Sequence, residues 1–120
     1  MQLSPNVWGP FFWHTIHIIA LGYPKNPNYT DKKSAKEFYE SLAHLLPCAV
    51  CREHYKEHLV QNPITPFLDS RTDLIKWTIE IHNKVNKALG KKEWTLEEVL
   101  TYYERIGRRN RSPVWTKEDM

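Results

Sequence analysis

The stretch Thr72-Asp-Leu-Ile-Lys-Trp-Thr-Ile-Glu-Ile-His-Asn-Lys-Val-Asn-Lys-Ala-Leu89-Gly90 decides how this chain folds. Its large apolar residues return every three or four positions, which is the period of an α-helix with one buried face. Ser70 with Asp73 forms a weak capping box before it, and Gly90 ends it. The predicted buried face consists of Leu74, Trp77, Thr78, Ile81, Val85 and Leu89. The rest of the chain is interpreted around this helix.

Four other segments show the same helical period. Residues 5–21 begin with Ser4-Pro5, an N-cap followed by a first-turn proline, and are apolar nearly all round, which is typical of a central helix. Thr30 or Asp31 is expected to cap a second helix that ends before Pro47. A third helix is expected from the cysteines to about residue 61, and the capping box of Thr95 with Glu98 begins a fifth.

No segment alternates between apolar and polar residues as a half-buried strand does, and the loops at 22–28 and 62–66 are short. Short links between amphipathic helices are typical of antiparallel bundles. We therefore expect an all-α fold, a four-helix bundle plus a short fifth helix, in one domain over residues 1–107. Residues 108–120 are expected to form a polar, flexible tail.

Composition and charge exclude several classes of function. The chain has 120 residues and a net charge of +3, and its one basic cluster is Arg108, Arg109 and Arg111. Nucleic-acid binding needs a denser basic face, so we expect no nucleic-acid partner. The most apolar stretch, 7–21, is too short for a membrane span, and no secretion signal precedes it. The protein is expected to begin life in a reducing cytosol.

The two cysteines stand together as Cys48-Ala-Val-Cys51. In a reducing compartment this spacing indicates redox chemistry or a metal rather than a structural disulfide. The N-terminus of a helix stabilises a thiolate and lowers its pKa, which favours redox chemistry. One alternative is two inert buried cysteines. A zinc site is another, although its four ligands would all lie along one helix: Cys48, Cys51, His54 and His58.

Two further sets of residues suit a flat, phosphate-bearing ligand. His82, Asn83 and Asn86 share one strip of the fourth helix, with Lys91 just beyond it. Trp13 and His17 lie one turn apart on the first helix, after Trp8-Gly9. A heteroaromatic ring could stack between such side chains. Taken separately, the first set is better explained by a solvated helix face, and the second by core aromatics with one partnered histidine.

Together these segments resemble the Erv/ALR family of FAD-linked sulfhydryl oxidases, over about residues 8–103. The matching segments are Trp8-Gly9 with Trp13 and His17, Pro47-Cys48-Ala-Val-Cys51-Arg-Glu-His54-Tyr55, Asn62-Pro63, Trp77, and His82-Asn83-Lys-Val85-Asn86-Lys-Ala-Leu89-Gly90-Lys91. The resemblance implies an FAD bound at one end of the bundle, beside a redox-active disulfide. It implies that Cys48 exchanges with substrate dithiols and that Cys51 delivers the electrons to the flavin. Dioxygen is the implied acceptor, and hydrogen peroxide the product.

The resemblance also implies the residues that hold FAD, and no metal ligands. Those expected from the first helix and next to the cysteines are Trp8, Gly9, Trp13, His17, His54 and Tyr55. Those expected around the adenine, ribose and diphosphate are Ile79, His82, Asn83, Val85, Asn86, Leu89 and Lys91, with Trp94, Tyr102 and Tyr103 closing the adenine side. The implied electron donor is a thioredoxin-like or other CxxC dithiol protein. A homodimer through the first helices is expected.

Three departures from the family pattern stand out. Ile79 and Leu96 occupy the positions of a second, structural disulfide in many cellular members, so packing is expected to replace that bridge. No shuttle cysteines are present near either end, and Pro10 stands where Arg is common. The chain thus looks most like the minimal versions encoded by large cytoplasmic DNA viruses, which implies a location in host cytoplasm or virion.

Overall fold

The structure, a computed structural model, describes residues 1–108. These residues contain five α-helices and no strand. The helices are α1 (Pro5–Leu21), α2 (Tyr29–Leu45), α3 (Ala49–Gln61), α4 (Arg71–Ala88) and α5 (Leu96–Arg108). The all-α prediction is confirmed. Of the tail predicted at 108–120, only Arg108 falls within the described residues, where it ends α5.

Side-chain caps explain where the helices begin. Ser70 Oγ accepts a hydrogen bond from the Asp73 amide at 3.1 Å, and the Thr95–Glu98 box forms both of its reciprocal bonds. α2 begins slightly before the predicted cap, because Asn28 makes a full capping box with Asp31 and so takes the N-cap position. The expected capping chemistry therefore holds at α4 and α5 and is displaced by two or three residues at α2.

The loop predicted at 62–66 is more regular than expected. A 3-10 turn occupies Thr65–Phe67, with Pro66 in its first turn. Proline has a fixed φ and needs no intrahelical donor there, so it suits that position. The short turn buries Ile64 and Leu68 on either side, which attaches this connection to the core.

Two large aromatic side chains form the centre of the core. Tyr39 of α2 and Trp77 of α4 are both fully buried and meet edge to face, with ring centroids 5.3 Å apart. The Tyr39 hydroxyl donates to the Ile16 carbonyl at 2.7 Å, and Trp77 Nε1 donates to the Asn62 carbonyl at 2.9 Å. Both polar tips are thus satisfied, and they tie α1 and the loop after α3 to the core.

α1 is not the fully central helix that its composition predicts. It packs mainly against α4, whereas Val7, Phe11 and Ile18 on its outer face are 50%, 61% and 46% exposed. In a bundle this small, a terminal helix has neighbours on only part of its circumference. The helix therefore keeps an uncovered apolar strip. No helix within residues 1–108 has the length and apolar content to cross a bilayer.

Candidate active site

A cavity of about 370 Å³ lies between α1, α3 and the C-terminal end of α4. This volume is within the range of small-molecule sites, roughly 300–1,000 Å³. Leu89, predicted on the buried face of α4, is 60% exposed here, and Val85 is half-buried, so both contribute uncovered apolar surface to the cavity. The predicted site residues that line it are Trp8, Gly9, Trp13, Cys48, Cys51, His54, Tyr55, Val85, Leu89 and Lys91.

Cys48 is the N-cap residue of α3, and its Sγ accepts the backbone N–H of Cys51 at 3.2 Å. The Arg52 guanidinium donates a hydrogen bond to the carbonyl oxygen of Leu46 at 2.6 Å, which fixes the backbone that leads into α3. Hydrogen bonds from Cys51 lower the pKa of the Cys48 thiol, with the nearby Arg52 charge adding to the effect. Cys48 is therefore the more easily ionised thiol of the reduced pair.

Cys51 lies one turn into α3 and packs against the hydrophobic core. Burial raises the pKa of its thiol to about 11, and the hydrogen bond to Cys48 and the charge there add to the shift. The reduced pair thus keeps its proton on Cys51. The two sulfurs differ in surroundings, one at the helix N-terminus and the other against the core.

His54 and Tyr55 follow the cysteines on α3 and line the same cavity. Tyr55 is buried, and its hydroxyl donates to the Tyr39 carbonyl of α2, so the ring is held as a rigid wall. Burial raises the pKa of this phenol well above its usual value. His54 is exposed at the cavity rim. Tyr55 consequently offers a ring face to a ligand, since its hydroxyl is already used.

Trp13, His17 and His82 form a stacked cluster where α1 meets α4. The Trp13 and His82 rings lie face to face, with centroids 4.0 Å apart and an interplanar angle of 7°. His17 Nε2 lies 2.8 Å from His82 Nδ1. Burial lowers the pKa of His17 to about 4 and that of His82 to about 2, with neighbouring positive charges adding to both shifts. Both imidazoles are therefore neutral at physiological pH.

Several buried polar atoms, in the cavity or on α4, have no hydrogen-bond partner within residues 1–108. They are Trp8 Nε1, His82 Nε2, His58 Nδ1 and both amide atoms of Asn86, a side chain that is only 1% exposed. Each such group costs about 1–3 kcal/mol unless something binds it. FAD carries amino, hydroxyl and phosphate groups that donate and accept, so the residues present fit this cofactor.

Asn83 and Ile79 lie away from the cysteine cavity, in a groove of about 440 Å³ along α4 that Leu96 also lines. Both ends of the Asn83 amide are used: Nδ2 donates to the Trp94 carbonyl at 2.7 Å, and Oδ1 accepts the Trp94 amide at 2.8 Å. Asn83 therefore fixes the loop before α5. Ile79 is buried and Leu96 packs against the core, so apolar packing occupies the positions of the family's second disulfide.

The three remaining predicted residues lie on the α5 side of the bundle. The Tyr103 hydroxyl is 2.8 Å from His14 Nδ1, and Tyr102 stacks on the same imidazole at 5.9 Å. Trp94 packs under the Lys92 ammonium, 4.5 Å from the ring centroid. Tyr102 and Tyr103 connect α5 to α1, and the His17–His82 cluster is next to them, since Tyr103 also approaches His17.

The cavity also contains residues that the sequence analysis did not assign to a cofactor. Phe12 and Ile16 extend the Trp8 face of α1, and His58 follows His54 by one turn on α3. The available signal was helical spacing: Phe12 and His58 lie four residues after Trp8 and His54, and Ile16 lies three residues after Trp13. No group of three or more His, Cys, Asp and Glu side chains within residues 1–108 is arranged to hold a metal ion, so the zinc alternative gains no support.

The fold and the site define a class of protein: a helical bundle whose redox-capable cysteine pair opens onto a cavity with aromatic and unpaired polar groups. The sequence model described as the Erv1 / Alr family matches residues 10–104. The chain belongs to this family.

Named relatives and solved structures agree with this placement. A probable FAD-linked sulfhydryl oxidase of Acanthamoeba polyphaga mimivirus is 44% identical over 86% of this chain and 73% of its own length. An FAD-linked sulfhydryl oxidase of African swine fever virus is 37% identical over 81% of this chain and 80% of its own. The FAD-binding domain of Erv1 from Saccharomyces cerevisiae superposes with a TM-score of 0.76 at 27% identity, covering 92% of this chain and all of that domain.

Proposed function

We propose that this protein is an FAD-linked sulfhydryl oxidase that forms disulfides. It takes an electron pair from a substrate dithiol through Cys48 and Cys51 and passes it by way of FAD to dioxygen, which becomes hydrogen peroxide. The observation that carries the proposal is a cavity lined both by an asymmetric cysteine pair and by Trp8 and His58, each of which has a buried ring nitrogen without a partner. The names of the viral relatives, all FAD-linked sulfhydryl oxidases, support the same function.

The cysteine pair performs the thiol–disulfide exchange. A substrate thiolate attacks Cys48 Sγ of the oxidised pair, the Cys48–Cys51 bond breaks, and its electron pair stays on Cys51. The second substrate thiolate then attacks the mixed disulfide at the substrate sulfur, which releases the substrate disulfide and leaves a Cys48 thiolate. The N-cap position of Cys48 stabilises that leaving group. FAD, when bound, reoxidises the pair and hands the two electrons to dioxygen.

Residues of three helices would hold the cofactor. Trp8, Gly9 and Trp13 of α1 and His54 and Tyr55 of α3 border the cavity as flavin-contacting residues. His82, Asn86 and Lys91 would bind the ribose and diphosphate portion, where the Lys91 ammonium suits a phosphate. His17 would support them from α1, since its two ring nitrogens already contact Thr78 and His82. Val85 and Leu89 would contact FAD from within the cysteine cavity. The α4–α5 side would close around the adenine through Ile79, Asn83, Trp94, Tyr102 and Tyr103.

The substrate class we propose is a small dithiol carrier with its own exposed CxxC, such as a thioredoxin-like protein. The 120 residues contain a single cysteine pair, so within them no second pair relays electrons from a bulky client to Cys51. Cys48 is half-buried, and a partner sulfur must reach it directly. Reduced unfolded proteins should therefore be oxidised more slowly than the carrier.

We further propose a homodimer that covers the apolar strip of α1, and a location in host cytoplasm or the virion. The strip supports the dimer because Val7, Phe11 and Ile18 lie on one side of the helix and are each about half exposed or more. The viral relatives support the location. A location of this kind matches a substrate that cycles between dithiol and disulfide.

Purification and oxygen uptake test the proposed function. The protein should be yellow, release flavin on heating, and consume dioxygen with a small dithiol, faster with a CxxC carrier than with reduced unfolded protein at matched thiol concentration. Cys48→Ser and Cys51→Ser should abolish uptake, while Ser34→Ala, at an exposed position of α2, should leave it intact. A folded but colourless protein that consumes no dioxygen would overturn the proposal.

A further inference from the structure

Thr78, which the sequence places on the buried face of α4, ends a chain of buried hydrogen bonds. It is fully buried, and its hydroxyl lies 2.7 Å from the Ile75 carbonyl. The same oxygen lies 3.0 Å from His17 Nδ1. The other nitrogen of His17, Nε2, lies 2.8 Å from His82 Nδ1. Three side chains are thus linked in series from α4 to α1 and back.

The hydrogen bond from Thr78 to the Ile75 carbonyl determines which atom carries the proton in each of the other contacts. A carbonyl oxygen only accepts, so the Thr78 hydroxyl must donate to Ile75 and accept from His17 Nδ1–H. A neutral imidazole carries one N–H, which leaves His17 Nε2 as an acceptor. His82 must then donate through Nδ1–H. Its own Nε2 is consequently an acceptor with a free lone pair.

That lone pair is the unsatisfied end of the chain. His82 Nε2 is buried and has no partner within residues 1–108, and the His82 ring cannot easily turn because it stacks on Trp13 at 4.0 Å. Trp13 itself lines the cofactor cavity. A buried acceptor beside that cavity calls for a ligand donor. Hydroxyl and amino groups donate, whereas phosphate oxygens only accept.

We propose that Thr78 is a positioning residue that, through His17, holds His82 in the Nδ1–H form and makes its Nε2 the acceptor for a hydroxyl or amino group of FAD. The inference rests on the proposed function for the identity of the ligand. It assigns to the fully buried Thr78 a role that packing alone does not require. With the chain reversed, His82 Nε2 would carry a proton, so an FAD amino group would meet it donor to donor and an FAD hydroxyl would have to turn and accept.

Ring nitrogen NMR on the holoprotein tests the proton positions directly, because protonated and bare imidazole nitrogens resonate far apart. In the wild-type protein and in Thr78→Ser, which keeps the hydroxyl, His82 should show a protonated Nδ1 and a bare Nε2. In Thr78→Val, which keeps the shape, His17 Nδ1 loses its acceptor and the His82 proton should move toward Nε2. FAD should then dissociate roughly fivefold faster, the effect of about one neutral hydrogen bond.

Two results would overturn this inference. One is a wild-type holoprotein in which His82 Nε2 is protonated, a measurement that does not depend on the variants folding. The other is a folded Thr78→Val protein with unchanged His82 nitrogens and an unchanged rate of FAD release. Flavin content is measured separately from the absorbance of the wild-type protein. A colourless protein counts against the proposed function, whereas a yellow protein with the wrong His82 form counts against the Thr78 chain alone.

Discussion

Cys48 and Cys51 show how one turn of helix makes two identical side chains chemically different. Cys48 accepts the N–H of Cys51 at the start of α3, which lowers its pKa, whereas burial raises the pKa of Cys51 to about 11. Two of the causes acting on Cys51 come from Cys48 itself. In a mixed disulfide at Cys48 these two causes disappear, so Cys51 becomes easier to ionise when its electrons are needed.

Alkylation against pH should reveal this difference. In the reduced protein, Cys48 should react with iodoacetamide first at neutral pH, since only thiolates react, and Cys51 should resist until pH approaches about 11. In Cys48→Ser the reaction midpoint of Cys51 should fall, because the charge at position 48 is gone. Peptide mass spectrometry gives both rates. Equal rates for the two cysteines at neutral pH would contradict the assigned roles.

The neutral histidines of the α1–α4 junction should make stability depend on pH. The pKa values of His17 and His82 are lowered by burial to about 4 and about 2, whereas an unfolded histidine titrates near pH 6.5. Their contribution is therefore complete above about pH 6.5 and is lost as pH falls toward 4. The free energy of unfolding should drop by up to about 1.4 kcal/mol per pH unit for each proton taken up.

Denaturant unfolding between neutral pH and about pH 4.5 measures this loss. The exposed His44 on α2 supplies the control, because His44→Asn should leave the slope unchanged. A stability that stays flat over this interval would show that the two buried histidines take up no protons on unfolding.

At the scale of the elements, Asn83 connects the end of α4 to the start of α5. Its amide makes two hydrogen bonds with the backbone of Trp94, in the loop that precedes the Thr95–Glu98 cap. The resemblance implies a cofactor-binding role for Asn83, and this role stays a prediction. The structure shows a backbone clamp, a contact that depends on the path of the loop.

Removing the clamp should loosen α5. Asn83→Ala should lower the free energy of unfolding by about 1–3 kcal/mol, since both bonds are partly buried and the Trp94 backbone groups lose their partners. Asn26→Ala in the exposed loop after α1 should change it by less than about 0.5 kcal/mol. Chemical denaturation of the two variants makes the comparison. An Asn83→Ala protein as stable as the control would show that the clamp contributes nothing.

Helix positions followed from the sequence because period, caps and prolines are local signals. The sequence did not predict that Asn28 would cap α2 in place of Thr30 or Asp31, nor the 3-10 turn at Thr65–Phe67, since each depends on small local differences in hydrogen bonding. The cysteine cavity was foreseen only through the resemblance. Its volume and its unpaired atoms arise where three helices meet, and no pattern along one helix contains that information.

At the scale of the whole molecule, the outer face of α1 is an apolar surface that packing within residues 1–108 leaves uncovered. A helix that is apolar nearly all round was predicted to be central, but the chain supplies neighbours for only one side of it. A second copy of the chain would cover the strip, and α1 would then be a central helix of the proposed dimer.

A charge on the strip should disrupt the dimer. Phe11→Glu should shift the light-scattering mass toward the monomer, because Phe11 is 61% exposed in the middle of the strip and burying a carboxylate there is costly. Val60→Glu, on the exposed side of α3, is the matched apolar-to-acid control and should leave the mass unchanged. A wild-type protein that stays monomeric at high concentration would exclude the dimer.

The central claim is that Cys48 and Cys51 supply electrons to FAD, with Cys51 next to the flavin. The visible spectra of purified Cys48→Ser and Cys51→Ser, recorded together with their oxygen uptake on a dithiol, test it most directly. The account predicts that both are yellow and inactive, and that only Cys48→Ser, which keeps a thiolate at position 51, develops a broad long-wavelength charge-transfer band as pH rises. Substantial turnover by Cys51→Ser, or the band appearing in that variant instead, would contradict the account.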